Sequence, residues 1–274
     1  MVLFDNHNHS EFSFDGKKSS VERCADAAAS KGLGGIAFTD HCDFFVPAMK
    51  AASENLVPEV FDVTMQQEEI DRVQKMYPSV RLLKGIEIGM HEDCRQQIRK
   101  TLEDNRFDQI IASVHYLDGI DPFYGGYYEG KDWKEAYGHY LETICKEMKW
   151  LRDFDILGHF DYVVRYAPYP QTCMKHSDFG DILDTIFTEV IHEGKALEIN
   201  TKSYQVYNGR TVTVDIDTLR RYRELGGEII SLGSDSHSPD RVGCRFEEHA
   251  MMLKALGFRW TAHYEDRKLI QTSL

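Results

Sequence analysis

The sequence lacks any apolar run that approaches the roughly 18 residues of a membrane-spanning helix, and basic residues are fewer than acidic ones. Lysine and arginine number 32 against 45 aspartate and glutamate residues, which gives a formal net charge of −13. A chain this acidic is a poor candidate for binding a nucleic-acid backbone or an anionic membrane surface. We therefore expect neither nucleic acid nor membrane among its partners.

Cysteine and proline are also sparse, with six and seven residues in a chain of 274. The six cysteines are scattered and contain no C-x-x-C pair, which favours reduced thiols over a thiolate metal site or a disulfide framework. The first residues, MVLFDNHNH, lack the charged and apolar regions of a signal peptide, so we expect a cytoplasmic protein. No repeat or Pro/Gly/Ser-rich linker interrupts the chain, and we expect one domain over residues 1–274.

Short apolar runs alternate along the chain with longer amphipathic segments. The runs predict strands at 2–9, 34–41, 80–89, 107–115, 154–161, 195–200 and 228–237. The amphipathic segments predict helices at 21–32, 63–77, 92–105, 132–153, 177–194 (with Ser177 as N-cap), 215–227 and 245–257. Seven β-α units in this order favour a parallel, TIM-like barrel, and an open doubly wound sheet is the alternative.

Metal-ligand residue types stand at the carboxyl end of six of the seven predicted strands. The residues are His7 and His9, His41, Glu87, His115, His159, and the pair Asp235 and His237. In a barrel these strand ends converge on one face, where active sites are built. A single histidine at a strand end more often caps or packs, but six such ends are not explained by independent capping. The pattern predicts a multinuclear metal site, and imidazole with carboxylate favours zinc, manganese or iron.

The same residues carry a family resemblance. The motifs H-x-H at 7–9, Ser13-x-Asp15, Thr39-Asp40-His41, Glu87, Ser113-Val114-His115, Gly158-His159 and Asp235-x-His237 together resemble the polymerase and histidinol phosphatase (PHP) superfamily over residues 2 to about 243. The resemblance implies an α/β fold, a distorted (β/α)7 TIM-like barrel, with a centre of two to three divalent metal ions.

The resemblance also implies which residues would hold each ion. One ion would be held by His7, His9, Glu87 and Asp235. Glu87 would bridge to a second ion, held with His115 and His159. A third ion would be held by Asp15, His41 and His237. Asp15 departs from many superfamily members, which have histidine at that position.

Three segments are similar to the histidinol-phosphate phosphatase branch of this superfamily: SVHYLDGIDP at 113–122, YYEGKDWKEAYGHYL at 127–141 and HFDYVVRY at 159–166. The implied reaction is hydrolysis of L-histidinol phosphate, a small phosphate ester, by attack of a metal-bridging hydroxide on phosphorus. Alternatives are a PHP phosphoesterase for a nucleotide, an oligonucleotide or phosphotyrosine, and a non-catalytic PHP module. The oligomeric state stays open.

Several residues near the strand ends are candidates for contacting the substrate. Arg165, on the loop after the fifth strand, is the first candidate for a bidentate phosphate clamp. Further candidate cations are Lys202, Arg210 and Arg241, each of which could instead be a solvated surface residue. Asp161 could protonate the leaving alkoxide or hold the substrate ammonium, or could be a helix cap or a partner of a metal ligand.

Other aromatic and histidine residues have two interpretations. An aromatic group in the loop after the fourth strand could cover the site or simply pack: Phe123, Tyr124, Tyr127, Tyr128 and Trp133. Four histidines outside the motifs are expected at the surface: His139, His192, His249 and His263.

Overall fold

Strands and helices alternate along the chain in a computed structural model that describes residues 2–45, 58–207 and 209–274. The main strands are β1 Phe4–Asn8, β2 Gly35–Phe38, β3 His41–Cys42, β4 Arg81–Gly89, β5 Gln109–Ser113, β6 Ile156–Leu157, β7 Ala196–Asn200, β8 Val206–Tyr207, β9 Arg210–Thr211, β10 Ile230–Gly233, β11 Trp260–Glu265 and β12 Lys268–Ser273. The α-helices are α1 Val21–Ser30, α2 Val63–Gln74, α3 Arg95–Asp104, α4 Trp133–Met148, α5 Tyr162–Tyr166, α6 His176–His192, α7 Ile216–Glu224 and α8 Phe246–Ala255. None of these helices is long and apolar enough to cross a membrane.

The sheet is parallel from β1 through β2, β4, β5, β6 and β7 to β10. Its first and last parallel strands meet at their carboxyl ends, where the Asp235 N–H donates to the His7 carbonyl and the His9 N–H to the Ser236 carbonyl, both at 2.8 Å. The TIM-like barrel predicted from the β-α alternation, in the distorted form that the resemblance implies, is therefore confirmed, and an open sheet is excluded by this closure. The closure brings the carboxyl ends of all these strands to one face.

The C-terminal hairpin β11–β12 closes the other end of the barrel and was not predicted. β11 pairs in parallel with β10, and Asn6 at the base of β1 donates its side-chain amide to Ala262 at 3.0 Å. The hairpin turn reaches beneath the strands, where Arg267 pairs with buried Asp155 at 2.6 Å. Tyr264 packs there in an apolar cluster with residues of β5, β6 and β7.

The turn of this hairpin is not recognisable from its sequence. Asp266 and Arg267 adopt φ values of 48° and 64°, the left-handed conformation that two-residue hairpin turns require. Such turns usually carry Asn-Gly or Asp-Gly, and this one has Asp-Arg, so it gives no turn signal. His263 stacks on Phe4 with ring centroids 3.6 Å apart and is buried, so its predicted surface position is wrong.

Four of the eight helices named above, α1, α2, α4 and α7, begin at a side chain that caps the helix. Ser20 caps α1 by accepting from the Arg23 N–H, and Asp132 forms a capping box with Glu135 at the start of α4. The predicted N-cap Ser177 instead lies inside α6, which begins at His176. His249 of α8 is buried against Tyr204, contrary to its predicted exposure, whereas His192 is exposed as predicted and His139 is partly exposed.

Candidate metal centre

The predicted ligands gather at the face formed by the carboxyl ends of the strands. His7 and His9 are two residues apart at the end of β1, so their side chains share one face of the strand. Both are fully buried. Glu87 lies in β4 beside them and is also fully buried. Four groups of these side chains bring their ligand atoms within 4.8 Å of one another: His7, His9 and Glu87; Glu87, His115 and His159; His7, His159 and Asp235; and His9, Asp15, His41 and His237.

Glu87 lies at the middle of the cluster, with its two oxygens facing different histidines. Oε2 lies 3.2 Å from His7 Nε2 and 3.0 Å from His41 Nδ1. Oε1 lies 3.2 Å from His115 Nε2 and 3.0 Å from His159 Nε2. Burial raises the pKa of this carboxyl, but the surrounding imidazoles outweigh it and hold the pKa well below the usual value. Glu87 is therefore an ionised carboxylate placed between two sets of nitrogen ligands.

The donor set fits divalent metal ions. Several buried polar atoms have no hydrogen-bond partner among the described residues, namely His7 Nε2, both ring nitrogens of His9, and Glu87 Oε2. Such orphaned groups are costly unless something else binds them. Two ligands of one tetrahedral zinc lie about 3.3 Å apart, given metal–ligand distances of about 2.0–2.1 Å. The separations around Glu87, from 3.0 to 3.5 Å, match that spacing.

Two carboxylates outside the sequence motifs contact the Nδ1 atoms of ligand histidines. Glu198 Oε1 accepts from His7 Nδ1 at 2.7 Å, and both oxygens of Asp43 lie 3.1 Å from His115 Nδ1. Donation through Nδ1 leaves Nε2 free to bind a metal ion, which is the usual arrangement of metal-binding histidines. The available signals were a carboxylate between two apolar residues of strand β7, and the H-x-D spacing from His41 to Asp43.

The predicted third group forms the outer part of the cluster. His237 Nε2 lies 2.7 Å from Asp15 Oδ2, and His41 Nε2 lies 3.8 Å from the same oxygen. Burial raises the pKa of Asp15, but His237 and His41 outweigh it, so the pKa lies below the usual value. The Asp15 side chain is one-third exposed, so this group borders the entrance of the site.

Asp235 has a left-handed backbone conformation, and two cations bind its carboxylate. Its φ is 50°, which aspartate tolerates better than most residues. Lys202 Nζ lies 2.9 Å from Oδ1, and Arg165 Nη1 donates to Oδ2 at 2.8 Å. Burial raises the pKa of Asp235, whereas Lys202 and His7 lower it more strongly, leaving it well below the usual value.

The predicted substrate cations fall into two groups. Lys202 lines the central cavity. Arg165 lies on the short helix α5 rather than on a loop, is fully buried, and keeps Nη2 without a partner among the described residues. Arg210 donates to the Ala167 and Gln171 carbonyls. Arg165, Arg210 and Arg241 are not among the residues that line the cavity, and their contact with phosphate stays a prediction.

Asp161 follows His159 by two residues but is not among the side chains that line the cavity. It is buried, and burial raises its pKa to about 6 although Arg165 opposes the shift. Its predicted part in protonating the leaving group stays a prediction.

A cavity of about 320 Å³ leads from the metal-ligand cluster to the surface. The rest of its lining, the mouth, is aromatic and acidic, and consists of Phe14, Glu59, Asp121, Phe123, Tyr124, Tyr162, Tyr166 and Tyr207. Tyr162 donates to Asp121 at 2.8 Å, and burial raises the Asp121 pKa. Burial and the nearby Asp43 raise the pKa of Glu59 to about 7. This arrangement suits a ligand with an anionic end toward the histidines and a cationic, planar end toward the mouth.

The aromatic group predicted near the site divides between cavity and core. Phe123 and Tyr124 line the cavity. Tyr127 and Tyr128 are buried in the core, where their hydroxyls donate to the Ala136 and Val163 carbonyls. Trp133 begins α4 and packs against the core. Only the first pair is therefore placed to contact a ligand within the described residues.

Comparisons with known proteins agree with this geometry. Residues 5–202 match the family model described as the PHP domain. The chain is 32% identical over 271 residues to a histidinol-phosphatase of Lactococcus lactis, covering 98% of this chain and 97% of the relative. It is 31% identical over 254 residues to a probable histidinol-phosphatase of Clostridium acetobutylicum, covering 92% and 93%.

A solved structure extends the likeness to three dimensions. The crystal structure of histidinol phosphate phosphatase from Lactococcus lactis, complexed with zinc, L-histidinol and phosphate, superposes with a TM-score of 0.87 at 28% identity, over 98% of both chains. Nearly full-length identity above 30%, the matched domain and the superposed barrel lead to one conclusion. The chain belongs to the PHP family, in its histidinol-phosphatase branch.

Proposed function

We propose that this protein is a metal-dependent phosphomonoesterase that hydrolyses L-histidinol phosphate to L-histidinol and phosphate, a step of histidine biosynthesis. The observation that carries the proposal is the cavity that joins the histidine–carboxylate cluster to an aromatic, acidic mouth. The substrate has matching parts, with a phosphate dianion at one end and an ammonium group and an imidazole at the other. The related enzyme of Lactococcus lactis, crystallised with L-histidinol and phosphate, supports the same substrate.

The proposed ligands hold two to three ions of zinc, manganese or iron. His7, His9, Glu87 and Asp235 would hold the first, and Glu87, His115 and His159 the second. Asp15, His41 and His237 would hold a third. When bound, such ions lower the pKa of water to supply a nucleophile at neutral pH and neutralise phosphoryl charge. The family resemblance and the orphaned buried nitrogens support this assignment.

Two cations of the chain would orient the phosphoryl group. Lys202 reaches the cavity, and the free Nη2 of Arg165 is the remaining donor of a guanidinium already held by Asp235 and Ser203. A guanidinium fixed at two of its nitrogens loses little entropy when the third donates to a phosphoryl oxygen. These residues would therefore add orientation to the charge stabilisation at the ligand cluster.

The mouth of the cavity would select the amino-imidazole end of the substrate. Asp121 and Glu59 offer carboxylates for the ammonium group, and Asp121 is oriented by Tyr162. Phe123 and Tyr124 offer faces on which an imidazole can stack. An uncharged or anionic leaving group would meet these carboxylates without compensation, which disfavours nucleotides as substrates.

We further propose that residues 1–274 act as one domain with a small-molecule substrate and without nucleic acid or membrane. Asp235 and His237 lie beyond the matched segment 5–202, and the C-terminal hairpin completes the barrel that carries them. All six cysteines are free, which supports a reducing, cytoplasmic location.

A kinetic panel tests the proposed function. Purified protein, with metal content measured by elemental analysis, is assayed on histidinol phosphate, nucleoside monophosphates, a short oligonucleotide and phosphotyrosine. We expect kcat/KM to be highest for histidinol phosphate, with two to three ions per chain. A higher kcat/KM on another ester would overturn the substrate, and no turnover of any ester by metal-loaded protein would indicate a non-catalytic module.

A further inference from the structure

Glu198 contacts two separate parts of the metal-ligand cluster. It lies in β7 and is almost completely buried. Oε1 accepts from the His7 ring nitrogen Nδ1 at 2.7 Å, and Oε2 accepts from the His159 backbone N–H at 2.6 Å. The two oxygens therefore satisfy two different donors, one on each side of the cluster.

The sheet is built to let Glu198 reach His7. β7 lies between β6 and β10, and β10 meets β1 at the closure of the barrel. His159 therefore follows the adjacent strand β6, whereas His7 lies beyond β10. Gly233 of β10 lies between them, and a Cβ there would be 2.2 Å from Glu198 Oε1 and 2.6 Å from His7 Cβ. A glycine at this position is therefore required for the contact across β10.

We infer that Glu198 is a positioning residue that sets the His7 tautomer and the placement of His159 together, and so fixes two ion positions relative to each other. This inference rests on the metal site proposed above, where His7 and His159 would bind different ions. It assigns Glu198 no contact with substrate or metal.

Asp43 provides a matched comparison. It is as buried as Glu198 and also ionically paired with a ligand histidine, but both of its oxygens lie 3.1 Å from the same His115 nitrogen. Its Oδ2 lies 3.8 Å from His41 Nδ1, beyond hydrogen-bond distance. The variant Asp43→Asn keeps one oxygen for that single donor. The variant Glu198→Gln removes the same charge, but its one oxygen cannot serve two donors, so an NH₂ group must face either His7 Nδ1–H or the His159 N–H.

The test compares zinc affinity in the two variants and the wild-type protein by competition with a chromophoric chelator. Loss of a carboxylate behind a metal-binding histidine typically costs 10- to 100-fold in affinity. We expect Glu198→Gln to fall at the upper end of that range and about tenfold below Asp43→Asn, with loss of affinity for more than one ion. Equal affinities in the two variants would overturn the inference.

A measurement on the wild-type chain keeps the inference testable if Glu198→Gln does not fold. In ¹⁵N-histidine-labelled protein, the His7 ring should be protonated at Nδ1 and unprotonated at Nε2, with slow exchange of the Nδ1 proton. A His7 ring protonated at Nε2 and not at Nδ1 would overturn the inference. If the wild-type protein binds no zinc, the proposed metal function fails, and the His7 tautomer still decides the positioning role.

Discussion

Replacing Glu87 by glutamine should remove at least one metal ion from the protein. The amide keeps the size of the side chain but offers one acceptor oxygen in place of two. Ser113 Oγ donates to Oε1 at 2.7 Å, which favours keeping the amide oxygen on that side. The NH₂ group then faces His7 and His41, whose nitrogens lie 3.2 and 3.0 Å from Oε2.

The expected magnitude follows from the position of Glu87 between the two sets of nitrogens. Removing the hydrogen-bond partner of a metal ligand typically costs 10- to 100-fold in metal affinity, and Glu87 faces the ion positions directly. We therefore expect zinc affinity to fall by at least about 100-fold, or about 2.8 kcal/mol. kcat/KM on histidinol phosphate should fall with the metal content.

The assay is equilibrium dialysis against buffered free zinc, followed by elemental analysis and circular dichroism. Glu147→Gln is the control, because Glu147 is a buried carboxylate of α4 whose role is to accept from Trp150 at 2.6 Å, and glutamine keeps that acceptor. The control should keep wild-type zinc content. If Glu87→Gln binds as many ions as the control with equal affinity, Glu87 is not a bridging ligand.

Three further predictions address the cations, the cavity mouth and the hairpin. Arg165 also supports the proposed metal ligand Asp235, so its variants are assayed at saturating zinc. Arg165→Ala should then lower kcat/KM by about 10- to 150-fold, one charged hydrogen bond, with partial recovery in Arg165→Lys, and wild-type steady-state kinetics would remove Arg165 from phosphate binding. The pKa of Glu59 near 7 means that its carboxylate is charged above that pH and neutral below it, so KM should rise about tenfold from pH 8 to pH 6. In Glu59→Gln this rise should be absent, and an equal rise in both proteins would assign it to another group. Arg267→Ala should lower the free energy of unfolding by about 1–3 kcal/mol in urea titrations, because it leaves buried Asp155 without this ion pair. Arg220→Ala, which removes an exposed ion pair, should have a smaller effect. Equal effects of the two variants would contradict a stabilising role of the hairpin.

The barrel and the gathering of the metal-ligand residue types were predictable because both follow from strand periodicity. His7 and His9 share a face at any register of β1, and parallel strands must place their carboxyl ends on one side. Asp235 and His237 instead follow the end of β10 at Gly233, and the φ of Asp235 is 50°, so strand alternation does not account for their placement. The D-x-H motif identified them, and their backbone conformation was not predictable.

Side chains whose roles depend on the exact path of a loop or on long-range partners were not predictable. Arg165 was assigned to a loop because α5 has only five residues and too little periodicity to detect. Arg210 was judged by its distance from a strand end, but its hairpin turns it toward the Ala167 carbonyl. Glu198 was overlooked because its partner His7 is 191 residues away in sequence.

The closure of the barrel by its last strands determines when the metal-ligand cluster can be completed during synthesis of the polypeptide. The hydrogen bond from Asn6 to Ala262 joins residues 256 positions apart, so this contact forms only after nearly the whole chain has emerged, although β1 pairs with β2 much earlier. Contacts of such long sequence separation form slowly, because chain closure precedes the energy gained. Until β10 and its neighbour arrive, His7 lacks the Asp235 side of the cluster, and the nascent polypeptide exposes an incomplete set of histidines. Metal capture at full affinity is thereby reserved for the finished chain, and nascent chains stalled before β10 should bind zinc only weakly.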